Sequence, residues 1–268
     1  MRCAVLGDPV AHSLSPSLHR AGYAALGLEA TYDAVRVPAG GLAGFVAGLG
    51  PEWRGLSVTA PLKREALALA GEVSDLAVLA GGANTLVRTP AGWLADNTDV
   101  PGAVAAIRER FAGDLSTATV LGGGATAASV GLALADLGIG AITVAARNPG
   151  NAAAAVAAIE RHPSAPRVVV VPLDEVGRAG DVLVSTVPAA AQTDDLVGRV
   201  LPADVVFEVT YNEWPTPLVA AALSAGATVV SGLDLLVHQA VLQFGMFTGH
   251  DGPLDAMRSA GEAALAAR

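Results

Sequence analysis

The chain is poor in cysteine, aromatic residues and positive charge. Cys3 is its only cysteine among 268 residues. A single thiol excludes an intramolecular disulfide and a cysteine-based metal site. Set in a short apolar stretch, it reads as a small core residue. The five histidines, at 12, 19, 162, 238 and 250, show no metal-ligand spacing to acids or to one another. Aromatics make up 4 % of the residues, so Ala, Val, Leu and Gly must build the core, which suits close packing of helices on a sheet. Lys and Arg number 16 against 25 Asp and Glu, a net charge of −9. That balance argues against generic binding to nucleic acid or to an anionic membrane. An anionic ligand would have to be held by local donors. The N-terminus lacks the pattern of a signal peptide, and no apolar run is long enough to span a bilayer. A soluble, cytoplasmic protein is expected, with neither nucleic-acid nor membrane partners, as a monomer or homodimer.

What the chain does have is hydrophobic residues, 52 % of the total, in a length that suggests two domains. Strand-like and helix-like segments alternate: CAVLG, then PSLHRAGYAALG, TYDAVRV, GGLAGFVAGL, GLSVTAP and LKREALALAG. Repeated β-α units argue for a largely parallel sheet. ANTLVRT and GWLADN flank PAG as a hairpin, and a helix follows from Val100. From Ser116 onward, short Val-rich strands (ATV, AITVAAR, RVVVVPL, DVLVSTVP, ADVVFEVTY, ATVVSG) alternate with helical or loop material, a doubly wound nucleotide-binding pattern. The run of alanines at 152–158 reads as a helix, and the C-terminal stretch is helical. No repeat of roughly 20–50 residues is present. The expected class is α/β, with two α/β domains.

Several short segments carry chemistry. Ser13 and Ser15 stand just past the first strand in HSLSPSLH. Ser15 before Pro16 fits a helix N-cap. Alternatively, both hydroxyls and the free amides of a helix start could grip a carboxylate. Lys63 opens a helix two residues after Pro61, where the helix dipole does not favour it. Asp99 precedes Val100-Pro101 and fits a cap, and a lysine with a carboxylate could also form a proton-transfer pair. In VLGGGATAA, Gly122, Gly123, Gly124 and Ala125 lie between a strand and a helix, with another strand following, as a dinucleotide-binding turn requires. The next strand ends in Arg147 with no acid nearby. A guanidinium there suits a 2′-phosphate, so NADP is favoured over NAD.

Taken in order, GDPVAHSLSPSLH, SVTAPLK, GGANTL, DNTDVPG, VLGGGATAA, AARN, YNEWPTPL and GLDLLVHQA resemble the motifs of the shikimate dehydrogenase family over essentially the whole chain. The resemblance implies NADPH-dependent reduction of 3-dehydroshikimate to shikimate. It implies that Ser13 and Ser15 hold the substrate carboxylate. Ser57, Thr59, Asn84, Asp99, Tyr211 and Gln239 would contact the rest of the substrate, with Lys63 and Asp99 as catalytic groups. Gly122, Gly123, Gly124, Ala125, Thr126, Arg147, Thr186 and Gly232 would contact the cofactor. It implies a substrate domain of residues 1–100 plus 233–268, a Rossmann domain of residues 101–232, and a site in the cleft between them. Three positions depart from the family pattern: Ser57 replaces an asparagine, Ala125 a glycine, and Asn151 stands where a second basic residue is frequent. A related quinate/shikimate dehydrogenase using NAD and a catalytically silent shikimate- or nucleotide-binding protein are the competing readings.

Overall fold

The computed structural model describes residues 1–211 and 213–268, which form two compact units: Met1–Thr98 with Leu236–Arg268, and Asp99–Leu235. The first unit begins with β1 (Arg2–Gly7), α1 (Ser15–Ala25), β2 (Thr31–Arg36), α2 (Leu42–Ala47), β3 (Trp53–Val58) and α3 (Lys63–Leu69). It continues through β4 (Glu72–Val73), α4 (Asp75–Ala80), β5 (Thr85–Thr89) and β6 (Gly92–Asp96). Its sheet has the order β2-β1-β3-β5-β6-β4. β1 runs parallel to β2 and β3, whereas β5 is antiparallel to both β3 and β6. The hairpin expected around residues 90–91 is therefore present. Cys3 lies in β1 and is fully buried.

Two elements carry no notice in the hydrophobic pattern. β4 is only two residues long, and α4 is a six-residue helix. Their signals are local. Ser74 accepts from the Ala77 amide as an N-cap, and Gly81 closes the helix with φ of +67°.

The second unit contains α5 (Asp99–Arg110), β7 (Thr117–Leu121), α6 (Ala125–Asp136), β8 (Ala141–Ala146), α7 (Ala153–Glu160), β9 (Arg167–Pro172) and β10 (Val182–Ser185). α8 (Asp194–Val200), β11 (Val205–Glu208), α9 (Pro217–Ser224) and β12 (Thr228–Ser231) complete it. All six strands are parallel, in the order β12-β11-β10-β7-β8-β9. Short Val-rich strands buried on both faces, such as VLVS of β10 and VVFE of β11, are what a parallel sheet requires. The order reverses between β7 and β10, the position at which open α/β sheets bind ligands.

α10 (Gly232–Thr248) starts in the second unit and continues into the first, and α11 (Leu254–Ala266) closes the chain against α1. α10 is started by a reciprocal box. Ser231 N and Oγ donate to Asp234 Oδ2, and Asp234 N donates back to Ser231 Oγ. Burial raises the Asp234 carboxyl, but Arg110 at 2.7 Å and these Ser231 donors outweigh it and hold the pKa below the usual carboxylate range. No helix among the described residues is long and apolar enough to cross a membrane.

Candidate functional site

In the first unit, the chemistry-bearing residues gather along one edge of the sheet. Ser13 and Ser15 follow β1, Thr59 and Lys63 follow β3, Asn84 precedes the antiparallel β5, and Thr98 follows β6. This is a consequence of topology: the ends of parallel strands and the start of an antiparallel neighbour share an edge.

The two serines form a pair. Ser13 Oγ donates to Ser15 Oγ across 3.2 Å and accepts from the Ser15 amide at 3.3 Å. The capping reading of Ser15 is corrected by the structure. Ser15 is the first helical residue of α1, the N-cap position falls on Leu14, and no side chain caps the helix. The Ser15 side chain therefore sits inside the first turn, where it cannot serve the amides ahead of it. Asp99 is likewise the first residue of α5 and is nearly buried.

Thr59 is tied to β1 through its amide, which donates to Leu6 O, and its carbonyl accepts from the Leu62 amide. This turn delivers Lys63 to the start of α3. Lys63 is half-buried, its carbonyl accepts from the Ala83 amide at 2.9 Å, and its Cβ faces Gly82. Glu65, one residue beyond Arg64, is committed elsewhere, since its carboxylate accepts from the Gly40 and Leu42 amides. Asp96 is also structural, accepting from Ser74 Oγ and from the Asn97 amide.

Asn84 and Gln239, distant in sequence, meet: Asn84 Nδ2 donates to Gln239 Oε1 at 3.3 Å and to Thr98 Oγ1 at 3.0 Å. The Thr98 amide and the Thr85 hydroxyl both donate to Asn84 Oδ1. Ser57 is buried, with its hydroxyl engaged by Tyr32 and Gln243. Below them lies an aromatic cluster. The His19 ring stacks on Tyr32 with centroids 4.1 Å apart and planes 7° from parallel, and Tyr23, Phe244 and Phe247 surround it. Neither His19 ring nitrogen has a hydrogen-bond partner among the described residues. Burial pushes its pKa down to about 3, with the nearby Gln243 acting in the opposite direction. His19 is thus a neutral core residue. Burial also raises the Tyr32 phenol, with Ser57 and Ser15 acting against it.

In the second unit, β7 runs into Gly122, Gly123 and Gly124 and then α6. The three glycines answer different demands. Gly122 has φ of +113°, and a Cβ there would collide with Thr186 Oγ1. A Cβ on Gly123 would strike Ala152, whereas one on Gly124 meets nothing within 4 Å. Gly124 is the bare N-cap of α6, with no side-chain cap and no acid in the first turn. The open space beside it leaves room for a pyrophosphate at the amides of Ala125 and Thr126. Thr186 donates through both its amide and hydroxyl to Leu121 O, bracing the turn from β10.

Arg147 follows β8 and is exposed. Asn148 shapes the loop after it, accepting from the Gly150 amide and, through its carbonyl, from Asn151. Tyr211 follows β11 and is half-exposed, while Asn212 of the same segment lies outside the described residues. The backbone ahead of Tyr211 is anchored by buried Glu208, whose carboxylate accepts from Gln192, Thr216 and the Thr210 amide. Burial raises the Glu208 pKa against those bonds. At Gly232 a Cβ would collide with Val209 O, so this glycine permits close backbone approach. No group of His, Cys, Asp and Glu among the described residues could hold a metal.

Tyr32, Thr85, Thr98 and Gln243 join the site without having been singled out by sequence. Gln243 alone had a usable signal, one helical turn beyond Gln239 on the same face of α10.

The family model for the shikimate dehydrogenase substrate binding domain matches residues 5–86, and that for the shikimate 5′-dehydrogenase C-terminal domain matches residues 232–260. Shikimate dehydrogenase (NADP(+)) of Anaeromyxobacter sp. (strain Fw109-5) is 36 % identical over 266 residues, covering 96 % of this chain and 94 % of the relative. The crystal structure of Mycobacterium tuberculosis shikimate dehydrogenase is similar with a TM-score of 0.87 and 44 % identity, covering 99 % of this chain and 98 % of that one. The crystal structure of shikimate 5-dehydrogenase from Thermus thermophilus in complex with NADP(H) and shikimate gives a TM-score of 0.84 at 31 % identity, covering 98 % and 99 %. With this agreement over nearly its full length, the chain belongs to the shikimate dehydrogenase family.

Proposed function

We propose that the chain reduces the ring ketone of 3-dehydroshikimate to the hydroxyl of shikimate with NADPH, reversibly. The observation that carries this reading is the gathering of paired serines, a half-buried lysine and an amide-hydroxyl cluster along one sheet edge of the first unit. A small ligand with one carboxylate and several hydroxyls matches that donor set.

In this reading Ser13 and Ser15 hold the carboxylate. Thr59, Asn84 and Gln239 orient the ring hydroxyls, joined by Asp99 and Tyr211. The first unit is the substrate domain and the second the NADP domain. Gly122, Gly123, Gly124, Ala125 and Thr126 receive the pyrophosphate, with Thr186 bracing the turn and Gly232 part of the same strand-end edge. Arg147 takes the 2′-phosphate. NADPH, when bound, supplies the hydride. Lys63 gives the proton that the ketone oxygen needs, or stabilises its developing negative charge, and Asp99 is its proton-transfer partner. In the oxidative direction Lys63 takes the hydroxyl proton. The net charge of −9 argues against nucleic-acid and anionic-membrane partners, and the reading is completed by a cytoplasmic location and a monomeric or homodimeric state.

The test is a steady-state assay crossing shikimate and quinate with NADP and NAD. The expected result is preference for shikimate with NADP. Binding of both ligands without turnover would instead identify a silent sensor, and preference for quinate with NAD would overturn the substrate and cofactor assignment.

A further inference from the structure

Beneath the proposed shikimate contacts lies a chain of hydrogen bonds whose direction is dictated from one end. Gln243 Nε2 donates to the backbone carbonyl of Asn84 at 3.0 Å and to Thr85 Oγ1 at 2.9 Å. A backbone carbonyl only accepts, so the amide nitrogen of Gln243 must face it. Its Oε1 is then turned to Ser57, which lies 2.6 Å away and must donate. With its one proton spent, Ser57 can only accept from Tyr32, whose hydroxyl is 2.5 Å distant. On the other branch, Thr85 accepts from Gln243 and therefore donates its proton to Asn84 Oδ1 at 2.8 Å. The Thr98 amide donates to the same oxygen at 2.8 Å. Asn84 Nδ2 is thereby turned toward Thr98 Oγ1 and Gln239 Oε1. Gln239 is itself fixed, because its Nε2 donates to Leu236 O. All of these polar side chains are buried, where an amide in the wrong orientation would leave donors facing donors.

We propose that Tyr32, Ser57, Thr85 and Gln243 are positioning residues that set which face of the Asn84 carboxamide is offered to the substrate. This rests on the shikimate reading above and deepens it. Ser57, standing where the family has an asparagine, works from within: its proton is committed to Gln243 and none remains for a ligand. Tyr32 is fully buried, its ring is clamped by His19, and its hydroxyl donates to Ser57 while also interacting with Ser15.

The experiment measures KM and kcat for shikimate, the NADP dissociation constant and the melting temperature. Thr85→Val keeps shape and deletes the hydroxyl, and Thr85→Ser restores it. The expected result for Thr85→Val is a rise in shikimate KM of about 3–10-fold, the scale of one net hydrogen bond, with NADP affinity unchanged. Thr85→Ser should return to within about 2-fold of the parent. Ser57→Ala should also raise KM, and its combination with Thr85→Val should be clearly less than additive, because both hydroxyls act through Gln243. Strict additivity of Ser57→Ala and Thr85→Val would overturn the chain. So would a fall in melting temperature with shikimate KM unchanged in Thr85→Val. Absence of turnover in the parent protein would instead remove the shikimate reading itself, and this proposal with it.

Discussion

The Ala83 amide donates a hydrogen bond to the Lys63 carbonyl across 2.9 Å. The start of α3 is thus tied by backbone to the loop before β5, independently of the lysine side chain. Lys63→Met should leave that tie intact and delete only the ammonium. The expected loss of turnover is about 10²–10⁴-fold, the scale of a positioned acid or base, with shikimate and NADPH dissociation constants nearly unchanged. Asp99→Asn should also be severe, and the double variant far less than additive. Near-normal turnover of Lys63→Met in stopped-flow or steady-state assays would remove the lysine from the mechanism.

Arg147 is the exposed cation at the end of β8. Arg147→Ala should weaken NADP binding by about 1.5–3 kcal/mol, as expected for a hydrogen bond to a charged group, and leave NAD binding alone. Calorimetric titration with both nucleotides checks this, and equal losses would contradict a 2′-phosphate contact.

Ser13 is half-buried and caps no helix. Ser13→Ala should raise the shikimate KM by about 10–150-fold, the scale of one hydrogen bond to a charged carboxylate. The melting temperature should stay close to that of the parent. A large thermal loss with unchanged kinetics would make the hydroxyl structural.

The glycine turn should separate into fold and ligand. Gly122→Ala meets both a positive φ and Thr186, and should destabilise the protein by at least about 1 kcal/mol. Gly124→Ala has space in the protein, so it should keep the melting temperature and weaken NADP binding by crowding the phosphate. Denaturant unfolding alongside nucleotide titration reads the two effects separately.

His19 gives a prediction on pH. Its pKa is lowered to about 3 in the folded protein and is about 6.5 unfolded. Between those values the unfolded chain binds a proton that the native state refuses. The stability from this residue is therefore complete above about pH 6.5 and falls toward about pH 3, by about 1.4 kcal/mol per unit. His19→Leu removes that slope. As pH falls from about 7 to about 4, the parent should lose unfolding free energy relative to the Leu variant at that rate. Parallel curves would mean that His19 is protonated within the fold.

Much of this protein is determined locally. Val-rich strands alternating with Ala-rich helices require a layered α/β fold, because each buried strand needs helices on its faces. Gly122–Gly124 between a strand and a helix, and Arg147 at the next strand end, are local features that read directly. So are Ser13, Lys63 and Asn84, each at a strand or helix boundary. Other features were settled only by long-range packing. The N-cap of α1 fell one residue earlier than Ser15-Pro16 suggests, since the start of a helix is set by where the turn from β1 lets the backbone coil. Ser57 pairs with Gln243 across 186 residues and Asn84 with Gln239 across 155. Tyr32 sits in β2 with no polar pattern to mark it. Such contacts depend on which strand ends share a sheet edge and which face of α10 lies over them. A hydroxyl or carboxamide carries no record in sequence of the partner that folding brings to it, and tertiary structure alone assigned Ser57, Tyr32, Thr85 and Gln243 to one buried chain.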